Sequence, residues 1–346
     1  MEEWVTELGL FVARLAILAL VIGLALALIA RLRNDDGSRL RLRLEALNDR
    51  YEYRRRRLAL AASEPGARKR MLKAFRRDDK ARGRRERQAS PTKNQTVWVL
   101  DFHGDIRASG TGRLAEEISA VLASAEDGDE VVLRLESAGG LVHAYGLAAA
   151  QMDRLREAGL TTTVCVDKVA ASGGYLMACA ADRLQAAPFA VVGSIGVVAQ
   201  LPNLHRLLKR HDVDVELLTA GEYKRTLTVF GENTPEGRDK FQSDLDNTHR
   251  LFKSHVAERR PTLDIEAVAT GEIWYGRDAL SRGLVDSLGT SESYLVSRMD
   301  EARVISVRLE PRRSMGERLG MAVSFGVERS VDRLLERLDA GRWEKR

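Results

Sequence analysis

Ser172 stands alone among small residues in the stretch VDKVAASGGYLMACAAD, residues 166–182, and its chemistry is that of a hydroxyl held where negative charge can be stabilised. The run before it, TTTVCVD at 161–167, is short and β-branched and predicts a buried strand, while residues 175–181 are helix formers with no breaker. A serine at a strand-to-helix corner lies at a helix N-terminus, where unpaired backbone N–H groups and the positive end of the dipole favour a developing anion. Gly173 and Gly174 remove side chains where a substrate backbone would approach. Taken alone, the same residues also fit an N-cap serine followed by glycines that permit close packing. The rest of the chain decides between the two.

The elements that would hold this corner follow from periodicity. From Gln95 onward the composition is that of an α/β domain, with strands over 97–102 (VWVLDF) and 131–135 and helical patterns over 112–125 and 141–158. The turn Ser137-Ala138-Gly139-Gly140 follows the second strand, so glycine pairs follow two successive strands. Strands alternating with helices imply β–α crossovers and parallel pairing. Residues 184–201 (LQAAPFAVVGSIGVVAQL) are apolar, but Pro188, Gly193, Ser194 and Gly196 suit short strands and turns better than a lipid-facing helix. A short helix is expected over 203–211, a strand over 213–218, a loop at 220–225 and a long amphipathic helix over 234–260 opened by Thr234-Pro235-Glu236. Further helices are expected around 278–282 and 291–299, and in the tail Val327, Val331, Leu334, Leu335 and Leu338 share one helical face.

Upstream, residues 8–30 (LGLFVARLAILALVIGLALALIA) have the length and apolarity of a membrane-spanning helix, with Arg14 placed to snorkel. Glu2, Glu3 and Glu7 before the run, and the lack of a small-residue cleavage site after it, argue for a retained anchor rather than a signal peptide. Arg31, Arg33, Arg39, Arg41 and Arg43 then put the C-terminal side in the cytoplasm. The net charge of +5 resides in this flank, because residues 31–93 carry roughly twice as many basic as acidic residues. Such a segment cannot build its own core; it reads as a basic helical or flexible linker, solvated or lying along anionic lipid. Its few aromatics and the absence of a reader module argue against a nucleic-acid partner. With 346 residues and 44% hydrophobic content there is ample material for a packed domain. Cys165 and Cys179 read as buried thiols, and His103, His143, His205, His211, His249 and His255 lack metal-ligand spacing, so neither a metal nor a cofactor is expected.

The sequences LRLESAGGLVHAYGLAA, VDKVAASGGYLMACAAD, VGSIGVV and TAGEYKRTLT, in this order and at these spacings, resemble the signal-peptide peptidase A family and, with the anchor and basic linker, its membrane-bound SohB branch. The resemblance covers essentially the whole chain. It implies a fold like those of ClpP and crotonase, built from repeated ββα units, and a serine endopeptidase with a Ser/Lys dyad. It divides the chain into an anchor at 1–30, the linker at 31–94, a catalytic domain at 95–290 and a helical tail at 291–346. By the same resemblance Ser172 is the nucleophile, Lys224 the general base and Ser194 the hydroxyl that orients the base. Backbone N–H groups of Gly173 and of Gly139 or Gly140 then form the oxyanion hole. Ala138 stands where the family usually has proline.

A lysine can take the serine proton only when its amine is neutral, which implies burial away from carboxylates. A Ser-His-Asp triad using His143, His205 or His249 is the rival mechanism, but no motif places a histidine for it. Two other functions fit parts of the chain: a crotonase-like acyl-CoA enzyme, which leaves Ser172 and Lys224 unexplained, and a non-catalytic membrane scaffold. Family members assemble so that serine and lysine can come from neighbouring subunits, so a homo-oligomer at a bacterial-type inner membrane is expected, cleaving signal-peptide remnants or misfolded membrane-associated segments. Family precedent for a catalytic domain outside the membrane opposes the cytoplasmic side that the charges favour.

Overall fold

The computed structural model describes residues 40–88 and 95–311. The expected anchor at 8–30 and the tail face at 327–338 lie outside the described residues, among which no helix is long and apolar enough to cross a membrane. The chain divides into two compact units; the site lies wholly in Arg43–Arg308, and of the other only residues 40–42 and 309–311 are described.

In chain order the elements are β1 (Leu40–Ala46), α1 (Leu47–Ala62), α2 (Pro65–Gln88), β2 (Thr96–Gly104), α3 (Thr111–Leu122), β3 (Glu130–Ser137), α4 (Val142–Glu157), β4 (Thr161–Val166), β5 (Val169–Ala171) and α5 (Gly173–Ala178). They continue as β6 (Arg183–Ala186), β7 (Val191–Gly193), α6 (His205–Arg210), α7 (Pro235–Arg259), α8 (Ile265–Val268), β8 (Ile273–Tyr275), α9 (Gly276–Ser281), β9 (Ser287–Leu288), α10 (Ser291–Arg298) and β10 (Arg303–Pro311). The fold is mixed α/β. Its main sheet runs β10-β2-β3-β4-β6-β9 with every one of these pairs parallel. A branch leaves it at the end of β3, where β5 pairs with β3 and β7, and β7 pairs antiparallel with β8.

The two-residue alternation of the strands sorts their side chains onto two faces. Leu100, Leu133 and Val164 join Leu114, Ile118, Tyr145, Met152 and Met177 in the core under α3, α4 and α5. Their neighbours Val99, Val132 and Cys165 point the other way, toward Leu47, Leu295 and Val304. Cys165 and Cys179 are free and buried, and burial pushes both thiols up to about 12. Helix α7 begins as its sequence predicts, with the Thr234 hydroxyl accepting from Gly237 N–H at 3.1 Å.

Two expectations change. Residues 213–218 form no strand: Val213, Val215 and Leu217 alternate in sequence, but no described strand lies beside them and all three are exposed. Extended backbone becomes a strand only when its N–H and C=O groups find a neighbour. In the basic linker, α1 and α2 are joined by Arg56, which bonds Glu52 and Asp79 at 2.7 Å each with its guanidinium 5.0 Å from the centre of the Phe75 ring. Asn48 ties the base of α1 down by accepting from Val304 N–H at 2.8 Å and donating to Met299 and Ala302 carbonyls. Past residue 290, α10 packs on the sheet, and the alternating RVISV run of β10 pairs with β2. Residues 303–311, expected in a helical tail, are thus a strand.

Candidate active site

Strands β3, β5 and β7 deliver the site. Ser137 lies opposite Ala170, and Ala171 lies opposite Gly193, so the turn 137–140, Ser172 and Ser194 leave the carboxyl ends of adjacent parallel strands side by side. That edge is where crevices open in parallel α/β sheets. Ser172 is pinned there by its N–H, which donates to the Gly193 carbonyl at 2.8 Å, and by its carbonyl, which accepts from Leu176 N–H at 3.0 Å as α5 begins. Both Ser172 and Ser194 take φ of +52°, a backbone state that costs a non-glycine residue about 1–3 kcal/mol.

The glycines around Ser172 are there because nothing larger fits. Gly139 has φ of +91°, and a Cβ on it would meet Ala171 O and Gly173 N at 2.7 Å each. A Cβ on Gly173 would meet the Tyr145 ring at 2.4 Å. The hydrogen bonds then distinguish the candidate anion-binding groups. Gly139 N–H donates to Ser137 Oγ at 3.0 Å, whereas the N–H groups of Gly140 and Gly173 have no partner among the described residues. Ala138 is exposed, and the turn it interrupts is held by Leu141 N–H donating to the Ile106 carbonyl at 2.8 Å.

Ser172, Ser194 and Gly140 line a cavity of about 470 Å³ whose other walls are Val142, Gly196, Val197, Val198, His249, Thr270 and Gly271. Ser194 N–H donates to the Glu272 carbonyl at 2.6 Å, which joins the serine to the 270–272 wall. The His249 Nε2 lies 3.2 Å from the Ile195 carbonyl; a carbonyl only accepts, so the proton sits on Nε2. His249 is thus in the cavity, while Lys224 is not among its lining residues. Lys224 stands exposed on a loop in which its N–H donates to the Gly221 carbonyl at 3.2 Å. His143 and His205 do not line the cavity either. The structure therefore brings together Ser172, Ser194, Gly139, Gly140 and Gly173 and leaves Lys224 outside. Thr270 and Gly271 were not singled out in sequence, because nothing in an ordinary loop dipeptide shows that it will form the wall opposite a serine.

The pattern of Peptidase family S49 matches residues 154–305, and that of its N-terminal region matches residues 3–152. The chain belongs to peptidase family S49. In its second matched region lie Ser172, Ser194 and Lys224, and in its first the turn 137–140. A relative from Haemophilus influenzae named "Probable protease SohB" is 57% identical over 228 residues, which are 66% of this chain and 65% of that protein. The protein of the same name from Buchnera aphidicola subsp. Schlechtendalia chinensis is 43% identical over 304 residues, 86% of this chain and all of that protein. "Serine protease SPPA, chloroplastic" from Arabidopsis thaliana is 30% identical over 250 residues, 68% of this chain and 37% of that protein. This S49 member is thus a serine-type peptidase by family, with relatives named as proteases.

Proposed function

We propose that the chain is a membrane-anchored endopeptidase in which Ser172 attacks the peptide carbonyl, Lys224 takes its proton and Ser194 orients the lysine. The observation that carries this reading is the strained Ser172 corner, open to a cavity that Gly140 also lines, with the N–H groups of Gly140 and Gly173 unpartnered among the described residues. Those two N–H groups would receive the oxyanion, a role in which loss of one donor costs about 10²- to 10³-fold in rate. In this reading Gly140 supplies the turn's donor in preference to Gly139, whose N–H donates to Ser137 Oγ.

Lys224 reaches Ser172 from a second copy in this account. The segment around it exposes Val198, Leu201, Leu207, Val215, Leu217, Leu218 and Phe230, with Val198 and Leu218 each 90% exposed. An apolar surface of this extent supports burial against a partner, and burial is what makes a lysine amine a base. Residues 8–30 would anchor the chain by one span, with the basic faces of α1 and α2 near anionic headgroups and the catalytic unit on the cytoplasmic side favoured by the arginine flank. The substrates are peptides such as signal-peptide remnants or misfolded membrane-associated segments, for which Val142, Val197 and Val198 offer apolar walls. The ββα architecture of ClpP and crotonase is the fold expected to organise such a homo-oligomer.

One observation favours a second reading: His249 shares the cavity with Ser172. Against the acyl-CoA alternative, no carboxylate among the described residues lines that cavity. Hydrolysis of a fluorogenic peptide library by the detergent-solubilised chain separates the possibilities. Ser172→Ala and Lys224→Ala are expected to lose at least about 10³-fold in kcat, with His249→Ala retaining turnover. Loss in His249→Ala with Lys224→Ala intact would favour the histidine base, and unchanged turnover in Ser172→Ala would favour the scaffold.

A further inference from the structure

We infer that Tyr145 is the positioning residue of the oxyanion hole, acting through a one-way hydrogen-bond chain that fixes which N–H of the turn 137–140 is engaged and which is left free for the substrate. The inference rests on the peptidase reading above. Tyr145 lies on α4, eight residues after Ser137, and is fully buried. Its hydroxyl touches two oxygens: the Asp105 carbonyl at 2.7 Å and Ser137 Oγ at 2.5 Å. A carbonyl only accepts, so the single phenolic proton goes to Asp105. Ser137 must then donate its own proton to Tyr145, which leaves Ser137 Oγ to accept from Gly139 N–H at 3.0 Å.

Every proton in the chain Gly139–Ser137–Tyr145–Asp105 is thereby assigned, and all point the same way. The Gly139 N–H is held by Ser137, and the N–H of Gly140, which lines the cavity, is left without a partner among the described residues. The ring of the same tyrosine lies where a Cβ on Gly173 would stand, 2.4 Å away, so it also forms the floor beneath the second donor. Space has been cleared for it: a Cβ on Gly104 would meet Tyr145 Oη at 2.4 Å, and one on Gly174 would meet the Ser137 carbonyl at 2.5 Å. Burial also pushes the phenol above its ordinary range, which favours its protonated, donating form. One side chain thus touches both halves of the hole without reaching the substrate.

Tyr145→Phe keeps the ring under Gly173 and removes only the hydroxyl; Ser137→Ala breaks the chain one link nearer the turn. For the full chain in detergent, three readouts apply to each variant: steady-state peptide hydrolysis, affinity for a peptide boronate that forms a tetrahedral adduct with serine, and labelling of Ser172 by a fluorophosphonate. Each single variant is expected to lose about 10-fold in kcat with KM within about 2-fold, and boronate affinity is expected to fall in parallel. The double variant is expected to be no worse than either single one, since both break one chain. Unchanged kcat and boronate affinity with only a lower Tm would overturn the inference, as would losses that multiply in the double variant. Failure of the wild type to label, with Ser172→Ala as the control, would overturn the peptidase reading and this inference with it.

Discussion

Ser172 holds a backbone conformation that its side chain makes costly, and this gives a stability test separate from catalysis. In ordinary helix or strand positions glycine is less stable than alanine by about 0.5–1 kcal/mol. At φ of +52° the order should reverse, with Ser172→Gly more stable than Ser172→Ala by about 1 kcal/mol in urea unfolding. Glycine at or below alanine would mean that the corner is unstrained. Gly173→Ala should cost about 1–3 kcal/mol and abolish turnover, because its methyl group would enter the Tyr145 ring; an active variant of wild-type Tm would contradict the packing described. The corner of Ser172, Gly173 and Gly174 was legible as a strand-to-helix junction of small residues, but that pattern alone fits an N-cap serine equally well, and only the family resemblance singled out Ser172. What was not legible is that Ser137 takes the Gly139 N–H, since a hydrogen bond from a turn to its own serine leaves no periodic trace.

Strands and helices with a strong period were legible too: TTTVCV became β4, EVVLRLES became β3, and the Thr234-Pro235-Glu236 start opened α7 where expected. The two-residue β9 and three-residue β5, β7 and β8 are too short to show a period, yet β5 and β7 aim the two serines. The end of α7 is fixed to the sheet by Arg260, which bonds Asp286 at 2.7 and 2.8 Å, while Asp286 also accepts from Leu184 N–H at 2.7 Å. Burial alone would raise the Asp286 pKa, but the hydrogen bonds from Arg260 and Leu184 outweigh it and hold the carboxyl below its ordinary range. A carboxylate depressed in the folded state stabilises above its unfolded value, near 3.9, and loses that contribution as pH falls through the folded value. Asp286→Asn should therefore cost about 2 kcal/mol at pH 7, below the roughly 3–5 kcal/mol of a fully buried pair because the Asp286 side chain is 43% exposed. The deficit against wild type should shrink as the pH drops below about 4; a deficit independent of pH would remove the ion pair from the account.

The proposed assembly would account for Lys224 lying outside the Ser172 cavity of a single copy. The alternating run at 213–218 and the exposed Leu218 are incomplete as they stand, and both lie beside the loop that carries Lys224. Leu218→Asp should shift the solubilised protein toward smaller species in light scattering and reduce peptidase activity at least about 10-fold, leaving Tm within a few degrees. An active, dissociated variant would contradict an assembly-dependent site. The question of whose lysine serves Ser172 has a direct measurement: co-express Ser172→Ala and Lys224→Ala chains in equal amounts and assay the mixed assemblies for peptide hydrolysis. If serine and lysine meet between copies, random mixing restores about a quarter of wild-type activity from two inactive variants. If mixed assemblies form and stay as inactive as either variant alone, the two residues do not act across copies, and the site proposed for this peptidase is wrong.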